Sequence, residues 1–215
     1  MAGVWGIVVA AGRGDRFGAP KQFLELGGAR LVDRAVASTA AACDEVVVVL
    51  PADVAWDGAP VARAVAGGAT RSASVRAGLD AVPDAVDVIV VHDAARPLAS
   101  PGTFRAVIDA VRRGCDGAVP AIPVSDTVKR VAHGCVLETV DRADLVAVQT
   151  PQAFRAAVLR DAHRVGGDAS DDAALVEAIG GVVAVVAGEP RNIKVTGPDD
   201  LALAAALLDL DGTAP

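Results

Sequence analysis

Two short runs, EVVVVL at residues 45–50 and VDVIVV at residues 86–91, constrain the fold of this chain more than any other feature. Each is apolar at successive positions, so both faces of the strand must be buried; a strand with one wet face would alternate. Residues 4–9 and 117–122 read the same way. Between these runs lie patterns with helical spacing at residues 31–42, 72–81 and 101–113, and later at 154–164, 171–179 and 198–210. Ser and Thr hydroxyls stand where they can cap the helix at 72–81, and Pro101 occupies a first helical turn. Further strands are predicted at 182–186 and 192–195. Strands buried on both faces and alternating with helices imply an α/β fold, a mostly parallel sheet covered by helices.

The 215 residues suffice for one large α/β domain over 1–215. The stretch 124–148 departs from the main alternation. It has a β-like pattern around His133-Gly134, which reads as a hairpin turn. The last residues, 211–215, are predicted to fray.

Charge and composition exclude several function classes. The net charge of −7 argues against nucleic acid or an anionic membrane as the main partner. Aromatic residues are 3% of the chain and Tyr is absent, so stacking platforms for single-stranded nucleic acid are scarce. No apolar run approaches the ~20 residues needed to span a bilayer. The apolar start lacks the basic segment of a signal peptide. Cys43, Cys115 and Cys135 have no metal-ligand spacing and read as free thiols, consistent with a cytoplasmic protein.

Ligands of such sheets bind beyond the carboxyl ends of the strands. The turns after Val9, Leu50, Val91, Ile122 and Val186 are therefore the informative ones. The first reads AAGRGDRFGAPKQ from Ala10 to Gln22. Glycines allow close backbone approach and free N–H groups to face phosphate. The dinucleotide fingerprint GxGxxG fails because Phe17 stands at the third glycine, and no GK[ST] marks a P-loop. Alone this is a tight turn; with Arg13, Arg16 and Lys21 in it, it points to a triphosphate. After the 86–91 strand comes HDAARP. Asp93 there can coordinate Mg²⁺ through oxygen, or cap a turn, or pair with Arg96. His92 reads as a packed or hydrogen-bonded histidine with no chemistry. In GGATRSASV, from Gly67 to Val75, the hydroxyls are either helix caps or contacts to a base or ribose. Lys194, between apolar residues in NIKVT, marks either the cleft end of a strand or a solvated edge.

The segments AAGRGDRFGAPKQF, GGATRSASVRAGL, VHDAARP, PVSDTVK, QTPQAF and NIKVTGPDDL, in this order from Ile7 to about Leu203, resemble the 2-C-methyl-D-erythritol 4-phosphate cytidylyltransferases of the non-mevalonate isoprenoid pathway. The resemblance implies a Rossmann-like sheet of the nucleotide-diphospho-sugar transferase type. It also implies a homodimer in which 124–148 is a β-arm reaching into the neighbouring site. By position, Arg16 and Lys21 would hold the phosphates of CTP. Ala10, Ala11, Gly12, Gly68 and Ser74 would line the cytosine and ribose pocket, and Asp93 would bind Mg²⁺. Arg96, Thr127 and Lys194 would bind the acceptor's phosphate, with Arg142 supplied by the partner subunit. Gly14, Arg71, Ala94 and Thr150 complete the expected substrate contacts. Where the family often carries a polar or acidic residue, this chain has Ala69, which leaves Gly68, Ser74 and main-chain groups to read the base.

The reaction so implied is a direct in-line attack by the acceptor's phosphate on the α-phosphorus of CTP, releasing pyrophosphate. The attacking group is already an anion, and the chain offers no convincing Ser/His/Asp or paired-carboxylate arrangement. Arg16, Lys21, Arg142 and Lys194 would act electrostatically. Two alternatives remain at the level of sequence: a cytidylyltransferase for another polyol phosphate such as ribitol 5-phosphate, and, more distantly, an NAD-dependent oxidoreductase.

Overall fold

A computed structural model of the chain describes residues 3–12 and 20–212. In chain order its elements are β1 (Val4–Val9), a 3-10 turn (Lys21–Phe23), β2 (Glu25–Leu26), β3 (Ala29–Arg30), α1 (Leu31–Ala40), β4 (Glu45–Leu50) and β5 (Arg63–Ala66). There follow α2 (Arg71–Asp80), β6 (Val88–Asp93), α3 (Pro101–Arg112), β7 (Gly117–Pro123), β8 (Val128–Ala132), β9 (Cys135–Val140), β10 (Val146–Val148) and β11 (Gln152–Arg155). The chain ends with α4 (Ala156–Val165), α5 (Asp172–Ala178), β12 (Val183–Ala187) and α6 (Pro198–Gly212).

Eight strands form one sheet. β6, β1, β4 and β5 run parallel as neighbours. On the other side of β6 comes β11, antiparallel, then β7. Gly117 and Ala118 of β7 pair with both β11 and the parallel β12, so those two lie on opposite edges of β7. β10 pairs antiparallel with the end of β7. The fold is thus the mostly parallel α/β sheet predicted.

Double burial follows the strand period of two. Ile7, Val47, Val49, Ile89 and Val91 pack with α2, α4 and α5 through Val75, Leu79, Leu159 and Val176. The intervening residues face the other way. Val4, Val88 and Val90 meet α3 at Phe104, Val107 and Val111, while Val8, Val46 and Val48 meet α1 at Val32, Ala35 and Val36. Burying each such side chain contributes roughly 1.5–3 kcal/mol. Helix α2 can lie close to the sheet because Gly78 has no Cβ; one there would stand 2.6 Å from Ile7 Cγ2.

Helix starts follow local chemistry. Ser100 caps α3 by accepting from Thr103 N at 3.2 Å, with Pro101 in the first turn. Thr70 caps α2 by accepting from Ala73 N at 3.1 Å. The hairpin β8–β9 turns through His133 (φ 51°) and Gly134 (φ 77°), both left-handed, as a two-residue primed turn requires. It pairs with no strand of the main sheet.

Three expectations are corrected. The helix predicted from residue 154 begins at Ala156; Phe154 and Arg155 pair in β11 between β6 and β7. Residues 192–195 form no strand. Their backbone is held individually instead: Val195 N donates to Ala95 O at 2.8 Å, and Asn192 O accepts from Arg96 Nη1 at 2.6 Å. The edge strand β5 went unpredicted, because the four-residue segment Arg63–Ala66 is short, Ala-rich and has a single β-branched residue, Val65.

Candidate active site

The carboxyl ends of β1, β4 and β6 open into a cavity of about 1170 Å³. Part of its wall is backbone. Gly67 N donates to Leu50 O at 2.7 Å, and Ala10 N donates to Val49 O at 2.8 Å, so both loops are extensions of the sheet. A Cβ on Gly67 would lie 2.3 Å from Ala11 Cβ and 2.8 Å from Ser74 Oγ; one on Gly68 would lie 2.5 Å from Ala73 Cβ. Bare glycine is therefore needed here, which leaves main-chain groups facing the cavity. Ser74 Oγ donates to Thr70 O at 2.9 Å and accepts from Gly68 N at 3.2 Å, pinning this floor to α2. Ala10, Ala11, Gly12, Gly68, Ser74 and Ala94 all line the cavity.

The cavity wall is also charged. Lys21, Arg71, Asp93 and Lys194 all line it, from four separate parts of the chain. Lys21 opens the 3-10 turn, which Gln22 ties to the first loop: its Nε2 donates to Ala10 O at 2.8 Å and to Gly12 O at 2.9 Å. Lys194 Nζ donates to Asp93 Oδ2 at 2.6 Å, and Arg71 Nε to Asp93 Oδ1 at 3.2 Å. Burial alone would raise the Asp93 pKa, but the charges of Arg71 and Lys194 outweigh it and hold the carboxyl below its ordinary range. Burial would likewise lower Arg71, but Asp93 and Asp172 more than offset it and raise its pKa. The site therefore presents an ionised carboxylate with a cation on each oxygen.

Beneath Asp93 runs a directional hydrogen-bond chain. Asp93 N donates to Thr150 Oγ1 at 3.1 Å, and Thr150 Oγ1 lies 3.1 Å from His92 Nδ1. His92 Nε2 lies 3.1 Å from Arg96 O. A carbonyl only accepts, so Nε2 carries the proton, Nδ1 accepts, and the Thr150 hydroxyl donates to it. The ring is neutral, and burial pushes its pKa down to about 4. His92 has the structural place read for it.

A second, smaller cavity of about 240 Å³ adjoins the first, sharing Arg71, Asp93 and Lys194 and adding Arg96, Thr150 and Gln152. Arg96 Nη1 donates to Asn192 O at 2.6 Å, and burial lowers its pKa. Asn192, fully buried, donates from Nδ2 to Thr150 O at 2.9 Å and so fixes the segment that carries Lys194. Gln149 Nε2 donates to Glu189 O at 2.8 Å alongside it.

Of the expected site residues, Gly14 and Arg16 lie outside the described residues, as does Arg13. Thr127 and Arg142 are exposed and line neither cavity. Thr127 stands between β7 and β8, and Arg142 between β9 and β10. Sequence reasoning passed over Gln22, Gln149 and Asn192, whose side chains hold the loops in place. The turn after Leu50, expected to face the ligand, lines the cavity through Pro51, Ala52 and Asp53, none of which was named individually.

Comparison with known proteins identifies the family of the chain. The family model for IspD, 2-C-methyl-D-erythritol 4-phosphate cytidylyltransferase, matches residues 4–210. The enzyme of that name from Nocardia farcinica is 48% identical over 216 residues, covering 94% of this chain and 93% of the relative. The bifunctional enzyme IspD/IspF of an Anaeromyxobacter species is 47% identical over 94% of this chain, which spans only 56% of that relative's length. The crystal structure of the Thermus thermophilus cytidylyltransferase superposes with a TM-score of 0.83 at 39% identity, covering 94% of this chain and 98% of that one. This chain belongs to the 2-C-methyl-D-erythritol 4-phosphate cytidylyltransferase family of nucleotidyltransferases.

Proposed function

We propose that the chain transfers the cytidylyl group of CTP to 2-C-methyl-D-erythritol 4-phosphate, a step of isoprenoid precursor synthesis in the cytoplasm. The observation that carries this reading is the single cleft lined both by Lys21, Arg71, Asp93 and Lys194 and by the bare backbone of Gly67 and Gly68. The triphosphate lies against the cations and the cytosine on the Gly67–Gly68 floor. The smaller cavity, with Arg96 and Lys194, takes the acceptor's phosphate.

In the reaction an oxygen of the acceptor phosphate forms a bond to the α-phosphorus of CTP. The bond from that phosphorus to the β-phosphate oxygen breaks, and pyrophosphate leaves with the electron pair. No proton has to be removed from the attacking group. The residues position two mutually repelling anions and stabilise charge growing on the transferred group. Lys21 and Lys194 do this, with Arg16 from the first loop. His92 and Thr150 hold Asp93 in place and take no part in proton transfer.

Asp93 suits Mg²⁺, which is commonly held by one or two carboxylates together with substrate phosphates. Among the described residues no three His, Cys, Asp or Glu side chains gather into a metal cage. The ion would therefore arrive with the nucleotide, and when bound it supplies positive charge to the phosphate oxygens.

The second subunit completes the site. Val131, Val136 and Leu137 of the β8–β9 hairpin are 62%, 60% and 62% exposed. Isolated two-stranded hairpins are marginal in water, and an apolar one standing clear of its sheet favours a partner. We assign the arm, residues 124–148, to dimerisation, with Arg142 reaching the partner's acceptor site; Thr127, expected in its own subunit's acceptor site but lining neither cavity, is reassigned to the partner's as well.

Pyrophosphate release from CTP and Mg²⁺ with a panel of polyol phosphates tests the activity. Release with 2-C-methyl-D-erythritol 4-phosphate is expected; its absence, or a preference for ribitol 5-phosphate, would overturn the assignment. Mixing Arg142→Ala with Lys21→Ala subunits should restore activity that neither variant has alone. Confirmed mixed dimers without restored activity would overturn the shared site.

A further inference from the structure

The ionic contacts of the cleft continue past its walls. Asp172, fully buried, is the first residue of α5 but does not cap it; Asp171 does, accepting from Ala174 N at 3.1 Å. The Asp172 carboxylate faces inward instead. Its Oδ2 accepts from Arg71 Nη1 at 2.8 Å, and its Oδ1 lies 2.9 Å from His163 Nε2 on α4. Neither Asp172 nor His163 lines either cavity. The result is an alternating series, Asp172, Arg71, Asp93, Lys194, in which each interior charge has an opposite charge on both sides.

A carboxylate only accepts, so His163 Nε2 carries a hydrogen toward Asp172. Nδ1 is buried and has no hydrogen-bond partner among the described residues. The starts of α2 and α5 are laced together nearby. Thr70 Oγ1 donates to Asp168 Oδ1 at 2.6 Å, and Ala169 N donates to Ser72 Oγ at 3.2 Å. Arg71 and Asp172 thus stand on one braced unit.

We propose that Asp172 and His163 are positioning residues for this cleft: His163 orients Asp172, Asp172 holds Arg71, and Arg71 holds Asp93 against Lys194. Removing one member of a buried ionic series leaves its neighbour uncompensated. Without Asp172 the Arg71 guanidinium retains Asp93 alone and is free to follow it or an incoming phosphate. The placement of Asp93 relative to Lys194 then loosens, although neither has been touched. This inference rests on the transferase reading above.

The test is a double-mutant cycle on kcat/KM for CTP, with CTP–Mg²⁺ affinity by calorimetry as a second readout. Asp172→Asn should lower kcat/KM by about 10²-fold, the scale of a misplaced reacting group. His163→Leu should lower it less, and His163→Gln, which keeps a donor, should recover most of the loss. In an Arg71→Ala background both Asp172→Asn and His163→Leu should have almost no further effect, because the residue they position is gone. Losses that multiply fully in that background would mean a purely structural role and would overturn the proposal. So would folded Asp172→Asn with normal turnover and affinity. If Asp172→Asn does not fold, the His163→Leu and His163→Gln pair decides alone. No pyrophosphate release from the unsubstituted protein would sink the transferase reading instead, and the calorimetric cycle would then judge the relay by itself.

Discussion

Lys194 Nζ donates to Asp93 Oδ2 across 2.6 Å, joining residues 101 positions apart in the chain. That contact gathers charge proposed to bind phosphate at the carboxyl ends of the strands, so loss of Lys194 should be strongly felt. Lys194→Ala is expected to slow pyrophosphate release by at least ~10²-fold, the scale for a lost positioned electrostatic contact, and Lys21→Ala by a similar factor. Single-turnover kinetics with saturating CTP checks both. Near-normal rates would remove these lysines from the chemistry.

His92 should make stability fall with acid. An unfolded histidine titrates near ~6.5. In the fold, burial pushes it down to about 4. Between those values only the unfolded chain takes up the proton, so stability is full above about pH 6.5 and declines as pH falls toward 4. The loss amounts to about 3 kcal/mol. Urea midpoints at pH 7.5 and 4.5 should differ more for the wild type than for His92→Asn. The depressed Asp93 has the same sign at lower pH: its contribution is complete above ~3.9 and is lost below it.

Thr150→Val should destabilise by about 1–3 kcal/mol, because it strands the Asp93 amide and the His92 Nδ1 lone pair together. Thr150→Ser keeps the hydroxyl and should restore most of that. Denaturant unfolding of the two variants separates the hydroxyl from the methyl group.

Gly67→Ala places a Cβ 2.3 Å from Ala11 Cβ. The overpacking should cost about 1–3 kcal/mol and raise KM for CTP more than it lowers kcat. Thermal unfolding and initial rates measure the two effects.

Chelation of divalent metal should abolish turnover and leave the thermal midpoint unchanged. Asp93 keeps Lys194 and Arg71 as partners without the ion. A large fall in the midpoint with EDTA would contradict this.

Much of the architecture was legible because hydrophobic runs carry it. EVVVVL and the strand before His92 are buried on both faces, and both fall in the centre of the sheet. His133-Gly134 announced its hairpin by turn chemistry. What escaped was held by other forces. Residues 192–195 have strand-like composition, but Arg96, Gln149 and Ala95 satisfy their backbone in place of a ladder. β5, at Arg63–Ala66, owes its place to pairing with β4 and not to its own apolarity. In the site, Lys21 and Asp93 could be singled out from the loops that carry them, Lys194 as one of two readings, and Arg71 through the family resemblance alone. Asp172 could not, since one of two adjacent aspartates at a helix start reads as a cap, and only the fold reveals that the other turns inward.

The Gly67–Gly68 floor has one more consequence. Recognition through peptide groups cannot be retuned by swapping side chains, since no side chain is there to swap and none fits. On the proposed placement of the base, drift toward another nucleobase, natural or engineered, is expected at wall positions that carry or can accept side chains, among them Pro51, Ala52, Asp53 and Ala69.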